Sequence, residues 1–470
     1  MGQRDMMLVM SDQHSYMVTG FADKRVDTPQ LERIAAEGCL FDHCYCTAPL
    51  CVPSRMSFLS GRMPSELGIF NNDSLLPGDV PTIAHQLGAM GYRTVLIGRM
   101  HFKGDDQKHG FDERLCGDIT SQYWGTGGRL RTDFENYAGT TNRIHCLEAV
   151  GGGVSPVMYF DKLVFEQTEK FLETWGASGE DRPPLFLVVG FYGPHFPFVC
   201  REDLYRKYKK RFSLEECDRA AQDEALPVYQ ELEQESTAEH MRNCRAAYCG
   251  LVEEQDGYTG RLYDRFLQVV KKREYLFCYT SDHGEQLGHR KLYGKQTLYE
   301  EAVRVPLLLA GTGVRTGVSR GTVSLLDVSR MFLRAADKMA APCPVPEGEH
   351  WIRVQHMLTH KNKKVLAEAA VKGCFKILRV DNAWYVYDLE TDPGESQNLL
   401  EKRRDEAENL ILLARQNGCF IEEEQRSVLA EKEQDSCIRH EQLKLWGQKK
   451  CPEEWATVKI PPKTLRQPLE

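Results

Sequence analysis

The chain has 470 residues, enough at roughly 100–200 residues per domain for several domains or one large domain with a smaller companion. Its 60 Lys and Arg against 68 Asp and Glu give a formal charge of −8, the wrong sign for a nucleic-acid binder, which carries a basic excess to displace counterions. At 41% hydrophobic and 27% charged it can bury a core, and 38 glycines and 21 prolines are too few for a collagen-like or low-complexity chain.

In chain order, the apolar run Met6–Met10 ends in Ser-Asp-Gln-His and predicts a buried strand with polar groups at its C-terminal end. Thr28-Pro29 opens a helix whose apolar positions are Leu31, Ile34 and Ala35 and whose stop is Gly38. A helix over Pro81–Met90, closed by Gly91, leads into a strand at Thr94–Ile97. Leu185–Gly190 and Tyr275–Thr280 are further buried strands, with helices over Lys162–Trp175 and Ala238–Lys271 between them. Helices alternating with continuous apolar strands imply an α/β fold, a mostly parallel sheet sandwiched by helices, with its site at the C-terminal strand ends. Later the pattern changes. Phe375–Val380, Asp381-Asn382 and Trp384–Leu389 read as a hairpin, and Asn398–Gln416 as an amphipathic helix. The expected division is a catalytic domain over 1–365, a small C-terminal α+β domain over 366–420, and a charged tail over 421–470 carrying Trp446 and Trp455.

The apolar runs, such as Val305–Ala310, stop well short of the ~20 residues a membrane span needs. The start of the chain has too short an apolar stretch for a secretory signal, so a cytoplasmic protein is expected. The 16 cysteines are scattered from Cys39 to Cys451 without a Cys-x-x-Cys pair and read mostly as buried thiols.

Four expected strand ends carry polar clusters: Asp12-Gln13-His14, Arg99-Met100-His101, Gly193-Pro194-His195 and Asp282-His283-Gly284. A doubly wound sheet brings such clusters to one rim. In Pro49–Arg62 the Pro and Ser residues suit a helix start, placing Cys51 at the positive helix end beside Arg55. From the residues alone, Cys51 is either an anion-facing thiol or a buried structural one.

Cys51-Val52-Pro53-Ser54-Arg55, continued by Leu59-Ser60-Gly61-Arg62, resembles the signature of the type I, formylglycine-dependent sulfatases of the alkaline phosphatase superfamily. Met10-Ser11-Asp12-Gln13, Gly98-Arg99-Met100-His101, Gly193-Pro194-His195-Phe196-Pro197, and Ser281-Asp282-His283-Gly284-Glu285 with Lys295 resemble its other site segments in order. Tyr387-Asp388-Leu389, Asp392-Pro393-Gly394-Glu395 and Asn398-Leu399 resemble its C-terminal signature, so the resemblance spans roughly residues 6–400. Gly98–Phe102 with Asp106–Leu115 is similar to the choline-sulfatase-like branch.

The resemblance implies a sulfuric ester hydrolase releasing inorganic sulfate from an aryl or other small organic sulfate. A maturase oxidises Cys51 to Cα-formylglycine, whose hydrate supplies one hydroxyl to attack sulfur and a second to expel sulfate. Asp12, Asp282 and the residue-51 oxygen imply a divalent cation, Ca²⁺ or Mg²⁺ rather than Zn²⁺. His283 is implied either as a metal ligand or as a hydrogen-bonding partner of sulfate. Gln13, where the family commonly has a second Asp, offers a carbonyl oxygen without charge. Arg55 is expected to hold the formylglycine hydrate. Asn72, with Asn71 beside it, and Arg99, where Lys is usual, are expected to bind sulfate. His101 is the expected acceptor of the second hydroxyl's proton, and either His195 or Lys295 the donor to the leaving oxygen. Asp282 is also a candidate base. His289 and Arg290 are candidates for lining the pocket, as is the segment around Tyr123-Trp124, where an aromatic stacks on an aryl ring or holds a quaternary ammonium. The tail is read either as solvated or as a contact between copies in a homo-oligomer. The competing readings are a phosphonate or phosphate monoester hydrolase of the same superfamily, a choline- or carbohydrate-specific sulfatase, and a non-catalytic binder in which Cys51 is never oxidised.

Overall fold

The computed structural model describes residues 4–119, 148–179, 181–337 and 350–450, with side chains as far as 437. Tyr123, Trp124 and Trp455, and the side chain of Trp446, lie outside the described residues.

An eight-stranded sheet forms the centre, in the order β10-β2-β9-β8-β1-β6-β3-β4. Its strands are β1 (Asp5–Asp12), β2 (Cys39–Tyr45), β3 (Arg93–Gly98), β4 (Glu113–Leu115), β6 (Leu185–Pro194), β8 (Tyr275–Ser281), β9 (Leu307–Gly311) and β10 (Gly317–Ser324). All pairings are parallel except those of β9, which runs antiparallel to both neighbours. All eight residues of β1 are buried, because β6 and β8 flank it and helices cover both faces. Side chains alternate across the strand. Met6, Leu8 and Met10 join the core formed with Val52, Met56 and Phe58 of helix Cys51–Ser60 and with helix Leu325–Ala336. Met7 and Val9 join the opposite core, with Leu31 and Ile34 of helix Pro29–Glu37 and with helices Pro156–Ala177 and Ala238–Val270.

Register decides where the site lies. Asp12 pairs with Pro194, Ser11 with Ser281, and Gly98 with Gly190, so β1, β6, β8 and β3 all end on one rim. At the end of β3 the backbones crowd. A Cβ on Gly190 would sit 1.8 Å from the Arg99 carbonyl oxygen, and Gly98, at φ +87°, places its own within 2.3 Å of the Gly190 carbonyl. Two glycines therefore let β3 lean on β6 and send Arg99 into the site.

A second, antiparallel sheet follows: β11 (Ile352–His360), β12 (Lys363–Lys372), β13 (Phe375–Val380) and β14 (Ala383–Asp388). It starts at Ile352, before the expected boundary at 365, and the expected hairpin is its second half. β5 (Val150–Gly152) and β7 (Phe198–Cys200) make a small parallel pair. Helix Arg404–Gln416 covers the second sheet through Ala407 and Ala414, while Ile352, Val354 and Leu378 from the other face continue the catalytic core. Lys376 is fully buried between Glu300 and Glu395, 2.9 Å from each, and ties the sheet to the catalytic domain. The tail begins as a helix, Glu423–Lys450, packed through Leu429 and Ala430 against Phe70, Met357 and Leu366. Among the described residues every cysteine is a free thiol, and no helix is long and apolar enough to cross a membrane.

Candidate active site

Cys51 is the first residue of helix Cys51–Ser60, the helix start expected of this segment; Leu50 is its N-cap and makes no side-chain capping bond. One turn on, Arg55 is also fully buried and faces two carboxylates from different strand ends. Its Nε donates to Asp282 Oδ2 at 2.8 Å and its Nη2 to Asp12 Oδ2 at 3.1 Å. Arg99 Nε donates to the same Asp12 oxygen. Ser54 fixes the helix further by donating to the Asp282 carbonyl at 2.6 Å. Burial alone would raise Asp12, but the charges of Arg99, Arg55 and Lys295 outweigh it and hold the carboxyl well below its usual range.

With both Oδ2 atoms on arginines, both Oδ1 atoms turn the other way. Asp12 Oδ1 lies 3.7 Å from Cys51 Sγ and 3.7 Å from His283 Nε2, which is itself 3.6 Å from Asp282 Oδ1. Ligand atoms of Asp12, Cys51, Asp282 and His283 all fall within 4.8 Å of one another, every residue buried. This donor set, two carboxylates, an imidazole and the Cys51 side chain, fits a divalent cation. His283 is prepared for ligation: its Nδ1 lies 3.1 Å from the Gly284 carbonyl, which only accepts, so Nδ1 carries the proton and Nε2 is an acceptor, 3.2 Å from Cys51 Sγ. Burial holds its pKa down at about 4, so the ring is neutral at pH 7.

The opposite side of Cys51 belongs to Lys295. Its Nζ is 3.1 Å from Cys51 Sγ, 2.7 Å from Gln13 Oε1 and 2.8 Å from His195 Nε2. His195 Nδ1 lies 2.8 Å from the Phe196 carbonyl, so it too is protonated at Nδ1 and accepts from Lys295 at Nε2. Burial and the Lys295 charge hold His195 well below its ordinary pKa. Burial and the charges of Arg99 and Lys103 do the same to His101, which lies 2.9 Å from Arg99 Nη2 through Nδ1. Burial, with the Asp12 charge, pushes the Cys51 thiol up to about 11; a cation bound there would pull it down.

Asn72 Oδ1 accepts the Val52 N–H at 3.0 Å, which puts its amide at the start of the Cys51 helix; its buried Nδ2 has no hydrogen-bond partner among the described residues. Asn71 turns away and donates to Glu433 of the C-terminal helix at 2.6 Å. The expected residues Asp12, Cys51, Arg55, Asn72, Arg99, His101, His195, Asp282, His283 and Lys295 therefore converge on one buried cluster. Gln13 joins it through Lys295, with its Nε2 on buried Glu285.

Three supporting carboxylates were given no role from the sequence. Asp118 accepts from Arg99 and from the His101 backbone. Asp161, on helix Pro156–Ala177, accepts the backbone N–H groups of Tyr192 and Gly193 at 2.7 and 2.8 Å, and the Gln255 amide at 2.6 Å, fixing the turn into His195. Glu285 accepts from Leu287 and Gly294 as well as Gln13. Asp118 and Glu285 do lie within or near quoted motifs, but only their partners show their roles.

The sulfatase family model matches residues 4–338. The chain belongs to the sulfatase family. It is similar to choline-sulfatase of Rhizobium meliloti strain 1021, 30% identical over 451 residues, covering 88% of this chain and 85% of the relative. It is also similar to the N-acetylglucosamine-6-O-sulfatase of Bacteroides thetaiotaomicron, at 24% identity over 85% and 83% of the two chains. Among solved structures, the phosphonate monoester hydrolase of Agrobacterium radiobacter shares the fold with a TM-score of 0.67 at 18% identity, covering 89% of this chain and 95% of that one. The protein is thus an enzyme of the sulfate-ester-hydrolysing class, on the alkaline phosphatase-like fold expected of it.

In this sulfatase His289 and Arg290 stand outside the Cys51 cluster. His289 is pinned between Glu301 at Nδ1 and Asp223 at Nε2, the latter 2.8 Å away. Arg290 stacks 4.0 Å from the Tyr299 ring centre and donates to the Gly394 carbonyl. Burial opposes the charge on His289, but Glu301 overcomes it and raises the pKa. A raised folded value means the stability is fully present below the unfolded pKa of about 6.5 and is lost as pH rises through the folded one. His289→Gln is expected to cost roughly 1.5–3 kcal/mol at pH 6, the scale of a charged hydrogen bond. The gap to the wild type should close toward pH 9. Thermal denaturation across that range measures it; a gap independent of pH would show that His289 is held neutral.

Proposed function

We propose that this sulfatase hydrolyses a small organic sulfate monoester to an alcohol and inorganic sulfate, using formylglycine formed from Cys51 by a maturase and a divalent cation, Ca²⁺ or Mg²⁺. The observation that carries this reading is the position of Cys51 Sγ, 3.7 Å from Asp12 Oδ1 on the candidate metal side and 3.1 Å from Lys295 Nζ on the other. When present, formylglycine hydrate supplies the attacking hydroxyl and the cation neutralises developing charge on the oxygens. Asp12, Asp282 and His283 would hold the cation.

The remaining work falls to this chain's own groups. Arg55 and Arg99 compensate the paired carboxylates, so the site receives a monoanionic ester without an excess of either charge. The Asn72 amide orients an ester oxygen. Lys295 is the proton donor to the leaving oxygen. His195 accepts from it at Nε2 and has no proton there to give, which favours Lys295 of the two candidates. Lys295→Ala is expected to slow esters of poor leaving groups by about 10²–10⁴-fold, the usual span of general acid catalysis, and esters of good leaving groups much less. Equal losses across a series of aryl sulfates of graded leaving-group pKa would refute the assignment.

The similarity to a choline-sulfatase makes choline sulfate the first substrate to try, beside aryl sulfates and sulfated sugars. The deciding experiment measures the peptide mass across residue 51 in protein coexpressed with a formylglycine-generating enzyme, then turnover of an aryl sulfate, an aryl phosphate and a phosphonate monoester. A CHO group in place of CH₂–SH, with sulfate turned over fastest, supports the reading. An unmodified thiol with full activity removes formylglycine from it, and faster turnover of the phosphonate reassigns the substrate class.

A further inference from the structure

Arg99 is enclosed on four sides. Nε pairs with Asp12, Nη1 donates to Asp118 Oδ1 at 2.9 Å, Nη2 lies 2.9 Å from His101 Nδ1, and the guanidinium carbon sits 4.4 Å from the Tyr192 ring centre. Asp118 is equally committed. Its side chain is 1% exposed, one oxygen takes Arg99, and the other accepts the His101 backbone N–H at 2.8 Å. His101 has φ of +62°, a left-handed conformation that a side-chain-bearing residue seldom adopts without an anchor. The Asp118 hydrogen bond is that anchor.

The arrangement also decides where His101 keeps its proton. A guanidinium does not deprotonate in proteins, so Arg99 Nη2 can only donate and His101 Nδ1 can only accept. Burial keeps the ring neutral. A neutral imidazole accepting at Nδ1 carries its single proton on Nε2. A lysine at 99 has one point nitrogen and cannot meet Asp12, Asp118 and His101 at three separate places, whereas the planar fork does.

We propose that Asp118 is a positioning residue for the sulfate-ester reaction: by gripping Arg99 Nη1 and the His101 N–H together, it fixes the His101 ring as the Nε2–H tautomer. Nε2 is then a donor in the resting site, fit to hold an oxygen of the ester or of residue 51, and not the acceptor of the second hydroxyl's proton that the sequence led us to expect. The Arg99–Asp118 pair acts as a unit, and neither residue does this work without the other.

This inference rests on the sulfate-ester reading for its kinetics but not for its tautomer, and two measurements separate them. Ring-nitrogen NMR of ¹⁵N-histidine-labelled protein, with His101 assigned from a His101→Asn variant, reads the tautomer without substrate. The wild type should show Nε2 protonated and Nδ1 bare, and Asp118→Asn should show a mixture. For whichever ester the wild type turns over, Asp118→Asn should lower kcat about 10–100-fold, as loss of an orienting partner does, with little change in KM. In an Arg99→Lys, Asp118→Asn cycle the double variant should lose far less than the product of the single losses, because both break one contact. Asp118→Glu should recover part of kcat. An unchanged tautomer in Asp118→Asn, or multiplicative losses, would overturn the proposal. Should Asp118→Asn fail to fold, Arg99→Lys breaks the same contact from the other side, and retention of the pure Nε2–H form there would overturn it equally. A wild type with the expected tautomer but no sulfate-ester turnover would sink the reaction assignment and support the role of Asp118 in setting the ring.

Discussion

Cys51→Ala is expected to fold with a melting temperature close to that of the wild type and to lose turnover by about 10⁵–10⁶-fold, the scale seen when a nucleophile is removed. The fold should tolerate it because the substitution removes one sulfur atom and disturbs no backbone contact. The helix start is held independently, by Ser54 on the Asp282 carbonyl and by Val52 on Asn72. Lys295 loses one of three acceptors but keeps Gln13 and His195. Calcium binding should weaken without vanishing, since Asp12, Asp282 and His283 remain. Activity is the property with no substitute, because no other nucleophile lies between the carboxylate pair and Lys295 among the described residues. Steady-state kinetics on an aryl sulfate, with calcium-dependent thermal shifts on the same protein, check both halves. Appreciable turnover by the variant would mean that water or another side chain attacks, and the nucleophile assignment would fall.

The site was legible in the sequence to an unusual depth because its chemistry sits at strand ends. Met6–Met10, Leu185–Gly190 and Tyr275–Thr280 are continuous apolar runs and read plainly as strands, although β6 runs on to Pro194, and Asp12, His195, Asp282 and His283 of the candidate site lie at or just beyond their ends. β2 and β10 carry no such signal. Asp42 and His43 interrupt one, and the other is an edge strand with Arg320 and two exposed residues at its start, Gly317 and Val318. β11 places Ile352, Val354 and Leu358 in one register, but His356 falls in phase with them and Met357 out of phase, so no clean period-two pattern marks its start. Asp161 and Gln255 were beyond reach for a different reason. They lie 94 positions apart, on separate helices; Asp161 accepts two backbone N–H groups at the end of β6, far from it in sequence, and Gln255 donates to Asp161. A buried carboxylate of this kind is identified by its donors, and only the fold supplies those.

Arg55→Ala should show the largest loss of stability, and a bound cation should restore much of it. The guanidinium is fully buried and donates to Asp282, Asp12 and the Arg99 carbonyl. Removing it leaves two carboxylates facing each other with their shared partner gone, and Arg99 is then the one guanidinium still paired with Asp12. Removing one partner from a buried ion pair costs roughly 3–5 kcal/mol, far more than an exposed pair of the same length contributes. At the few degrees per kcal/mol typical of large domains, the melting temperature in chelator should fall on the order of 10 °C. Added calcium is expected to act against this loss: a cation held by the folded state alone contributes about 2.7 kcal/mol at a hundredfold excess over its dissociation constant, and in the variant it would meet a more negative site. Its thermal shift should therefore be larger in Arg55→Ala than in the wild type, and the gap between the two proteins should narrow. Catalysis should not return with stability, because the cation replaces the charge of Arg55 and not its fork of directed donors. Arg55→Met, which refills the volume without the charge, separates the two contributions and should behave like Arg55→Ala in chelator. Equal calcium shifts in wild type and variant would mean that the cation binds away from the Asp12–Asp282 pair, and an unchanged melting temperature in chelator would mean that the carboxylates are already neutral.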